Sequence, residues 1–415
     1  MTFRKIFVKV SNTSKYRQIT VIFTFVNLKN LYSFDNIHVD LSYDRKLKDN
    51  PIENEFLIER PNFKFKKVCV ISGANASGKT TFGRAMCNIQ NFLSKCYLSS
   101  EFLKSISDKK KDAEFMIEFA TTNDYKLHRM YVVFNSEGDI QKQLYVNAKI
   151  GKNDSCKQTR AKLDKMLNNK EAFKGARYYH YQGKSKNKHE AYRNSRIKFS
   201  LSKMSFHDSG WAYLFSENSH FSTEIRFLSA KLLYCILKTF DPSIHSVKEI
   251  FSRVEDESTS PDIDGFNIRF NNGDAVQVNK QSEVNGKERL SRGTFDAIHI
   301  SELIARVIAD SKGNTYFLDE GLVYCHTEIE QAVLNLIIDK LSENSQFFYT
   351  THNHDILELN LPIHSFLFFK KDEYSTVIQP EFTFQKNDRT LLNYVKNNVF
   401  RTLPNTNYLD KLLLE

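Results

Sequence analysis

The chain has 415 residues, of which 41% are hydrophobic, 26% charged and 13% aromatic, a composition that excludes collagen-like, coiled-coil and disordered classes. The formal net charge of +10 is confined to one stretch: Lys149–Lys198 holds 15 basic and four acidic residues, and the rest of the chain holds 44 basic against 45 acidic. No apolar run nears the roughly 18–20 residues that cross a bilayer, and MTFRKIFVKV lacks the apolar core of a signal peptide. A permease is therefore excluded for this chain, and a soluble, cytoplasmic protein is expected. The six cysteines are scattered without a C-x-x-C pair, which fits reduced thiols better than a disulfide frame or zinc site.

In chain order, residues 19–44 alternate apolar and polar positions with many aromatics and predict strands. Lys67–Ser72 is a short buried strand entering a glycine-rich turn. A helix follows from Lys79 to about Cys96. Residues 114–148 alternate again, with turn signals at Thr122–Asp124 and Ser136–Gly138, and predict an antiparallel meander. The basic stretch comes next and reads as an insertion. Residues 222–240 have helical spacing, and a hairpin over Phe266–Val278 turns at Asn271–Gly273. The last section predicts helix 294–309, strand 315–319, helix 327–343 and strand 346–351, the rhythm of a parallel sheet covered by helices. Three parts result: residues 1–148, a basic insertion at 149–221, and residues 222–415.

Four motifs carry chemistry. Gly73-Ala-Asn-Ala-Ser-Gly78-Lys79-Thr80 is a complete G-x-x-x-x-G-K-T phosphate loop between an apolar strand and a helix. Its glycines let backbone amides face phosphate oxygens at the positive helix end. Lys79 reaches the β- and γ-phosphates, and Thr80 offers a hydroxyl to Mg²⁺. Tyr316–Glu320 delivers two carboxylates at a strand's C-terminal end, Asp319 for the metal and Glu320 as general base toward water. By itself the pair more often describes an ordinary acidic strand end. Leu290–Thr294 leads into a helix, where Ser291 and the Gly293 amide either meet a γ-phosphate or simply cap the helix. Phe347–His352 ends another strand, and His352 either contacts the γ-phosphate and attacking water or is a satisfied strand-end histidine.

The order and spacing of the four resemble the ABC-type ATPases: phosphate loop, LSxG signature, Walker B with adjacent Glu, and switch His. Asp319 follows Ser291 by 28 residues, and His352 follows Asp319 by 33. The resemblance implies an α/β fold, a P-loop NTPase head with a mixed sheet, an N-terminal antiparallel β subdomain and a helical, basic insertion. It implies ATP and Mg²⁺ as cofactors and slow hydrolysis. Lys79, Glu320 and His352 are then catalytic. Gly73, Asn75, Gly78, Lys79, Thr80 and Thr81 hold nucleotide, and Thr80 and Asp319 hold metal. It further implies that two heads pair head to tail, so that each nucleotide also meets Ser291 and Gly293 of the partner subunit.

The N-terminal strands and meander resemble the SMC/RecF/OLD branch. Ser291 follows Lys79 by 212 residues without sustained heptads, which departs from true SMC chains. Only 63 residues follow His352, too few for the Toprim domain of OLD nucleases. What remains is similar to stand-alone AbiLi/RloA-like ATPases and the ATPase subunits of two-gene anti-phage systems such as PARIS and Septu. That likeness is carried by GANASGKTT, LSRGT, the GLVYCHTEIEQA run and TTHNHDIL. It implies a sensor or scaffold controlling a separate nuclease or toxin effector. The alternative is a RecF/SMC-like DNA-repair ATPase. His326, in place of the usual small residues after the catalytic Glu, is expected to cap the next helix, and Tyr32 is a candidate for stacking on adenine. The basic segment Lys174–Lys198, interleaved with Tyr178, Tyr179, Tyr181 and Tyr192, suits nucleic acid, an acidic partner protein or a solvated loop.

Overall fold

The computed structural model describes residues 20–45, 50–95, 97–168, 179–182, 211–215, 225–252, 262–384 and 391–403. Two six-stranded sheets organise them into a mixed α/β structure. The first is antiparallel, built from β1 (Val21–Leu31), β2 (Phe34–Asp40), β6 (Ala113–Thr121), β7 (Lys126–Phe134), β8 (Ile140–Lys149) and β9 (Tyr179–Gln182), in the order β2-β1-β6-β7-β8-β9. A small hairpin of β3 (Phe56–Leu57) and β4 (Arg60–Lys64) lies between β2 and the second sheet's first strand in the chain.

The second sheet runs in the order β10 (Trp211–Phe215), β15 (Thr315–Asp319), β16 (Gln346–Thr351), β5 (Val68–Ser72), β17 (Phe366–Lys371) and β18 (Ser375–Ile378). Five strands are parallel and β18 is antiparallel. A parallel strand covered on both faces needs apolar residues on both, and these strands have them. Cys69, Ile71, Tyr213, Phe215, Phe317, Phe348, Leu367 and Phe369 turn to one core, which also takes Phe23, Val26, Phe115 and Ile117 of the antiparallel sheet. Their neighbours Val68, Val70, Ala212, Leu214, Leu318, Phe347, Phe366 and Phe368 turn to the other. Helix α1 (Lys79–Lys95) contributes Phe82, Ala85, Met86, Ile89, Phe92 and Leu93 to the first core, and the short α2 (Ser100–Lys104) adds Phe102.

The opposite face is covered by α4 (Ala230–Phe240), α5 (Arg292–Ala309) and α6 (Thr327–Lys340). Between α4 and α5 in the chain stands a four-stranded antiparallel sheet, β11 (Ile244–Phe251), β12 (Ile263–Phe270), β13 (Ala275–Asn279) and β14 (Val284–Asn285). The β12–β13 hairpin turns where the sequence places it.

Three boundaries differ from the sequence reading. Helix 222–240 begins only at Ala230, because Ser229 caps it by accepting from the Leu232 amide. Helix 327–343 stops at Lys340. Helix 294–309 begins two residues earlier, at Arg292. The stretch read as an insertion, 149–221, feeds three elements into the body. Helix α3 (Cys156–Asn168) docks through Arg160, whose guanidinium bonds Asp40 of β2 at 2.8 Å and Glu118 of β6 at 2.5 Å. Strand β9 extends the antiparallel sheet, and β10 pairs with β15 across its whole length. The side chains of the basic Lys174–Lys198 segment lie outside the described residues. Among the described residues no helix is long and apolar enough to cross a membrane.

Candidate functional site

Register brings the motifs together. Ser72 of β5 pairs with Thr351 of β16, and Thr350 of β16 pairs with Asp319 of β15. Three parallel strands therefore end at one level, the edge of an α/β sheet where ligands bind. From β5 the chain enters the 73–78 loop. Gly73 is required by close approach, since a Cβ there would lie 2.1 Å from the Phe369 carbonyl oxygen. Gly78 has φ +106°, and a Cβ would stand 3.0 Å from the Phe34 ring. Asn75 is exposed at the tip, and Thr81 is half-buried in the first turn of α1.

Lys79 is buried. Its ammonium donates to the carbonyls of Gly73 at 2.9 Å and Ala74 at 3.2 Å, and stands 3.2 Å from Glu320 Oε1. Thr80 donates to Asp319 Oδ1 at 3.1 Å, and Thr350 donates to the same oxygen at 2.6 Å. Asp319 is fully buried, and burial raises its pKa above the ordinary carboxylate value. Its Oδ2 has no hydrogen-bond partner. A buried carboxylate oxygen left unpaired beside a threonine hydroxyl calls for a ligand, and hard oxygen donors of this kind suit Mg²⁺. The residues present thus fit the metal.

Glu320 follows with φ +48°, its amide donating to Thr350 Oγ1 at 3.0 Å. The side chain is a quarter exposed, and His352 Nδ1 lies 3.8 Å from Oε1. Lys79, Thr80, Asp319, Glu320 and His352, drawn from three elements far apart in sequence, form one connected group.

Ser291 and Gly293 stand outside that group. Ser291 caps α5, its hydroxyl accepting from the Thr294 amide at 3.1 Å. Gly293 packs on the loop after Glu320: a Cβ would meet the Tyr324 carbonyl oxygen at 2.6 Å. Tyr324 is exposed, with the Arg292 guanidinium 5.2 Å from its ring centre. His326 occupies the cap position of α6 without a side-chain cap bond. The Tyr32 hydroxyl accepts from Asn88 of α1 at 2.9 Å while the ring packs on the antiparallel core, so this tyrosine is engaged as a packing residue.

Two residues of the site escaped the sequence reading. Thr350 links both carboxylate residues, and Glu330 of α6 is a buried acceptor for Tyr349 at 2.6 Å, Thr351 at 3.1 Å and Asn353 at 2.8 Å, so it pins both neighbours of His352. Strand register reveals the first. The second shows in sequence only as a glutamate ten residues after Glu320.

No protein-family model matches the chain, and no curated protein matches it. Among solved structures the chain is similar to an SMC head bound to the C-winged helix domain of ScpA, at 16% identity over 86% of this chain and 96% of that one, with a TM-score of 0.44. It is also similar to the SMC head domain from Thermotoga maritima, at 11% identity over 86% and 98%, with a TM-score of 0.37.

Proposed function

We propose that this chain is an ABC-type ATPase head that binds ATP with Mg²⁺ and hydrolyses it slowly as a homodimer. One observation carries the reading: a buried aspartate with an unpaired oxygen sits between the phosphate-loop threonine and a glutamate that the loop lysine already contacts. In this reading Lys79 and the loop amides hold the phosphates, and Thr80 and Asp319 hold the metal. Bound Mg²⁺ supplies positive charge that offsets the phosphate oxygens. Glu320 orients water and takes its proton, and His352 steadies Glu320 and the terminal phosphate. Ser291 and Gly293, at the positive end of α5, serve the nucleotide of the partner subunit. Dimer closure and opening is the output, timed by turnover.

The decisive experiment pairs two variants. Lys79→Ala should lose ATP binding, and Glu320→Gln should retain it and accumulate an ATP-bound dimer by size-exclusion chromatography. A Lys79→Ala chain that still binds ATP normally refutes the reading. At the finer level, the likeness of the GANASGKTT, LSRGT and TTHNHDIL segments to AbiLi/RloA-like chains supports a role as the sensor or scaffold of an anti-phage system with a separate effector. Co-purification of a neighbouring operon product, together with phage protection, tests this. DNA-stimulated hydrolysis with a repair phenotype would instead favour a RecF-like role, with the Lys174–Lys198 segment on nucleic acid.

A further inference from the structure

Thr350 has its donor and its acceptor both committed inside the site. The residue is fully buried. Its O–H donates to Asp319 Oδ1 at 2.6 Å, and its oxygen accepts the Glu320 amide at 3.0 Å. That amide also reaches the Thr350 carbonyl at 3.2 Å. Thr80 is the second donor to Asp319 Oδ1, at 3.1 Å. One oxygen of Asp319 is thus occupied by two hydroxyls, and Oδ2 is left without a partner in a residue that water does not reach. The left-handed backbone of Glu320, φ +48°, is one that a side-chain-bearing residue rarely adopts. Its amide is anchored from both the hydroxyl and the carbonyl of Thr350.

We propose that Thr350 is the positioning residue of this site. It selects Oδ2 as the oxygen that Asp319 presents to a divalent cation, and it holds the turn that aims Glu320. Neither role requires Thr350 to touch nucleotide or metal. The hydroxyl is the whole device, because valine has the same shape and lacks only the two bonds. Serine keeps both bonds and loses one methyl group. The inference rests on the ATP-binding reading above and assigns a cause to its geometry.

The test uses the full chain with Thr350→Val, Thr350→Ser and Lys79→Ala. A fluorescent non-hydrolysable ATP analogue is titrated in EDTA and then, at fixed analogue, against Mg²⁺. Thermal unfolding without ligand is recorded in parallel. Removing a partner that orients a metal-binding carboxylate typically weakens metal affinity about 10- to 100-fold. Thr350→Val should therefore raise the Mg²⁺ half-saturation point about tenfold or more, leave analogue affinity in EDTA within about twofold, and lower ATP turnover about tenfold. Thr350→Ser should restore all three. A Thr350→Val chain with Mg²⁺ dependence like wild type overturns the proposal. So does one that loses analogue affinity equally with and without Mg²⁺, since that marks a general structural defect. Failure of Thr350→Ser to rescue overturns it as well. If wild type and Lys79→Ala bind the analogue alike, the ATP-binding reading itself falls, and that outcome is distinct from the others.

Discussion

Gly83 lies in the second turn of α1 and faces β15. A Cβ at this position would stand 2.4 Å from two carbons of the Phe317 ring. Carbon atoms in ordinary contact are about 3.5–4.0 Å apart, so Gly83→Ala demands a separation larger by about 1 Å. Phe317 has nowhere to turn. It is fully buried and stacks on Tyr213 at 5.6 Å and Phe348 at 6.1 Å, with Phe215 at 5.8 Å. The helix must then lift from the sheet. Overpacking of this kind costs about 1–3 kcal/mol, and an overlap of about 1 Å against rigid rings belongs at the upper end of that range. Replacing glycine in a helix interior returns about 1 kcal/mol. The net expectation is a loss of about 2 kcal/mol, read by urea denaturation of the variant beside wild type. The lift also separates Thr80, three residues before Gly83, from Asp319, two residues after Phe317, so Mg²⁺-dependent nucleotide binding should weaken more than binding in EDTA. Adding Phe317→Leu to Gly83→Ala should recover part of the stability, because the clashing ring is gone; the coupling between the two changes is the diagnostic. A Gly83→Ala chain at least as stable as wild type would refute this account of the helix–sheet contact.

Three further outcomes follow from buried polar groups. Lys66 and Glu381 form an ion pair inside the protein, and Lys66→Met leaves the carboxylate uncompensated, so stability should fall by about 3–5 kcal/mol in chemical denaturation. Burial pushes His128 down to about 3, with Thr121 and Tyr145 on its two ring nitrogens. The unfolded chain takes up this proton near pH 6.5 and the folded chain does not. Stability is therefore fully present above about pH 6.5 and drains by about 1.4 kcal/mol per unit as pH falls toward 3. His128→Gln should be less stable at pH 7 yet show a shallower loss between pH 6.5 and 4.5; an unchanged slope would contradict the assignment. Arg160 bonds Asp40 through two nitrogens, at 2.8 and 3.0 Å, while also holding Glu118. Lysine lacks that fork, so Arg160→Lys should lower stability by about 1–2 kcal/mol, with earlier proteolysis of the α3 region as the local readout.

How much of this was legible in the sequence differs from element to element. Three of the five parallel strands were plain, since VCVIS, TYFLD and QFFYTT are short apolar runs at helix-plus-strand spacing, whereas β17 went unread. The meander was plain because its alternation matches a two-residue period. Strand β10 was hidden: WAYLF follows the charge-rich segment, and only pairing with Thr315–Asp319 shows that it belongs to the central sheet. The start of α4 was misplaced because helical spacing continues upstream of Ser229, and the cap decides the boundary. For the site, the pattern of motifs, with the resemblance to ABC-type ATPases that it carries, indicated Lys79, Thr80, Asp319, Glu320 and His352. It gave no hint of Thr350, because a threonine's role there depends on which residue the neighbouring strand sets opposite it. Ser291 illustrates the converse limit. Helix-capping and phosphate-binding serines look alike in sequence, and within one chain its geometry is that of a cap.

The phosphate loop was the most legible feature for a physical reason that the fold makes explicit. Backbone and side chains press on it from several directions. The Phe369 carbonyl abuts Gly73, and Phe34 and Ser375 abut Gly78. Ser33, in the β1–β2 turn, hydrogen-bonds Ser375 at 2.8 Å, so the tip of the antiparallel sheet and the start of β18 are fastened together beside the loop. Ala76, a residue with a side chain, is held at φ +60° within it. Each contact forbids a Cβ or fixes a dihedral, so the glycine positions are dictated by packing as well as by any ligand. A loop confined in this way is ordered by folding rather than by binding, and on the proposed ATP-binding reading a phosphate would meet amides whose directions are already set. The same confinement ties the site to the antiparallel layer. Loosening the Ser33–Ser375 contact should therefore disturb Gly78 and nucleotide affinity before it disturbs the buried core.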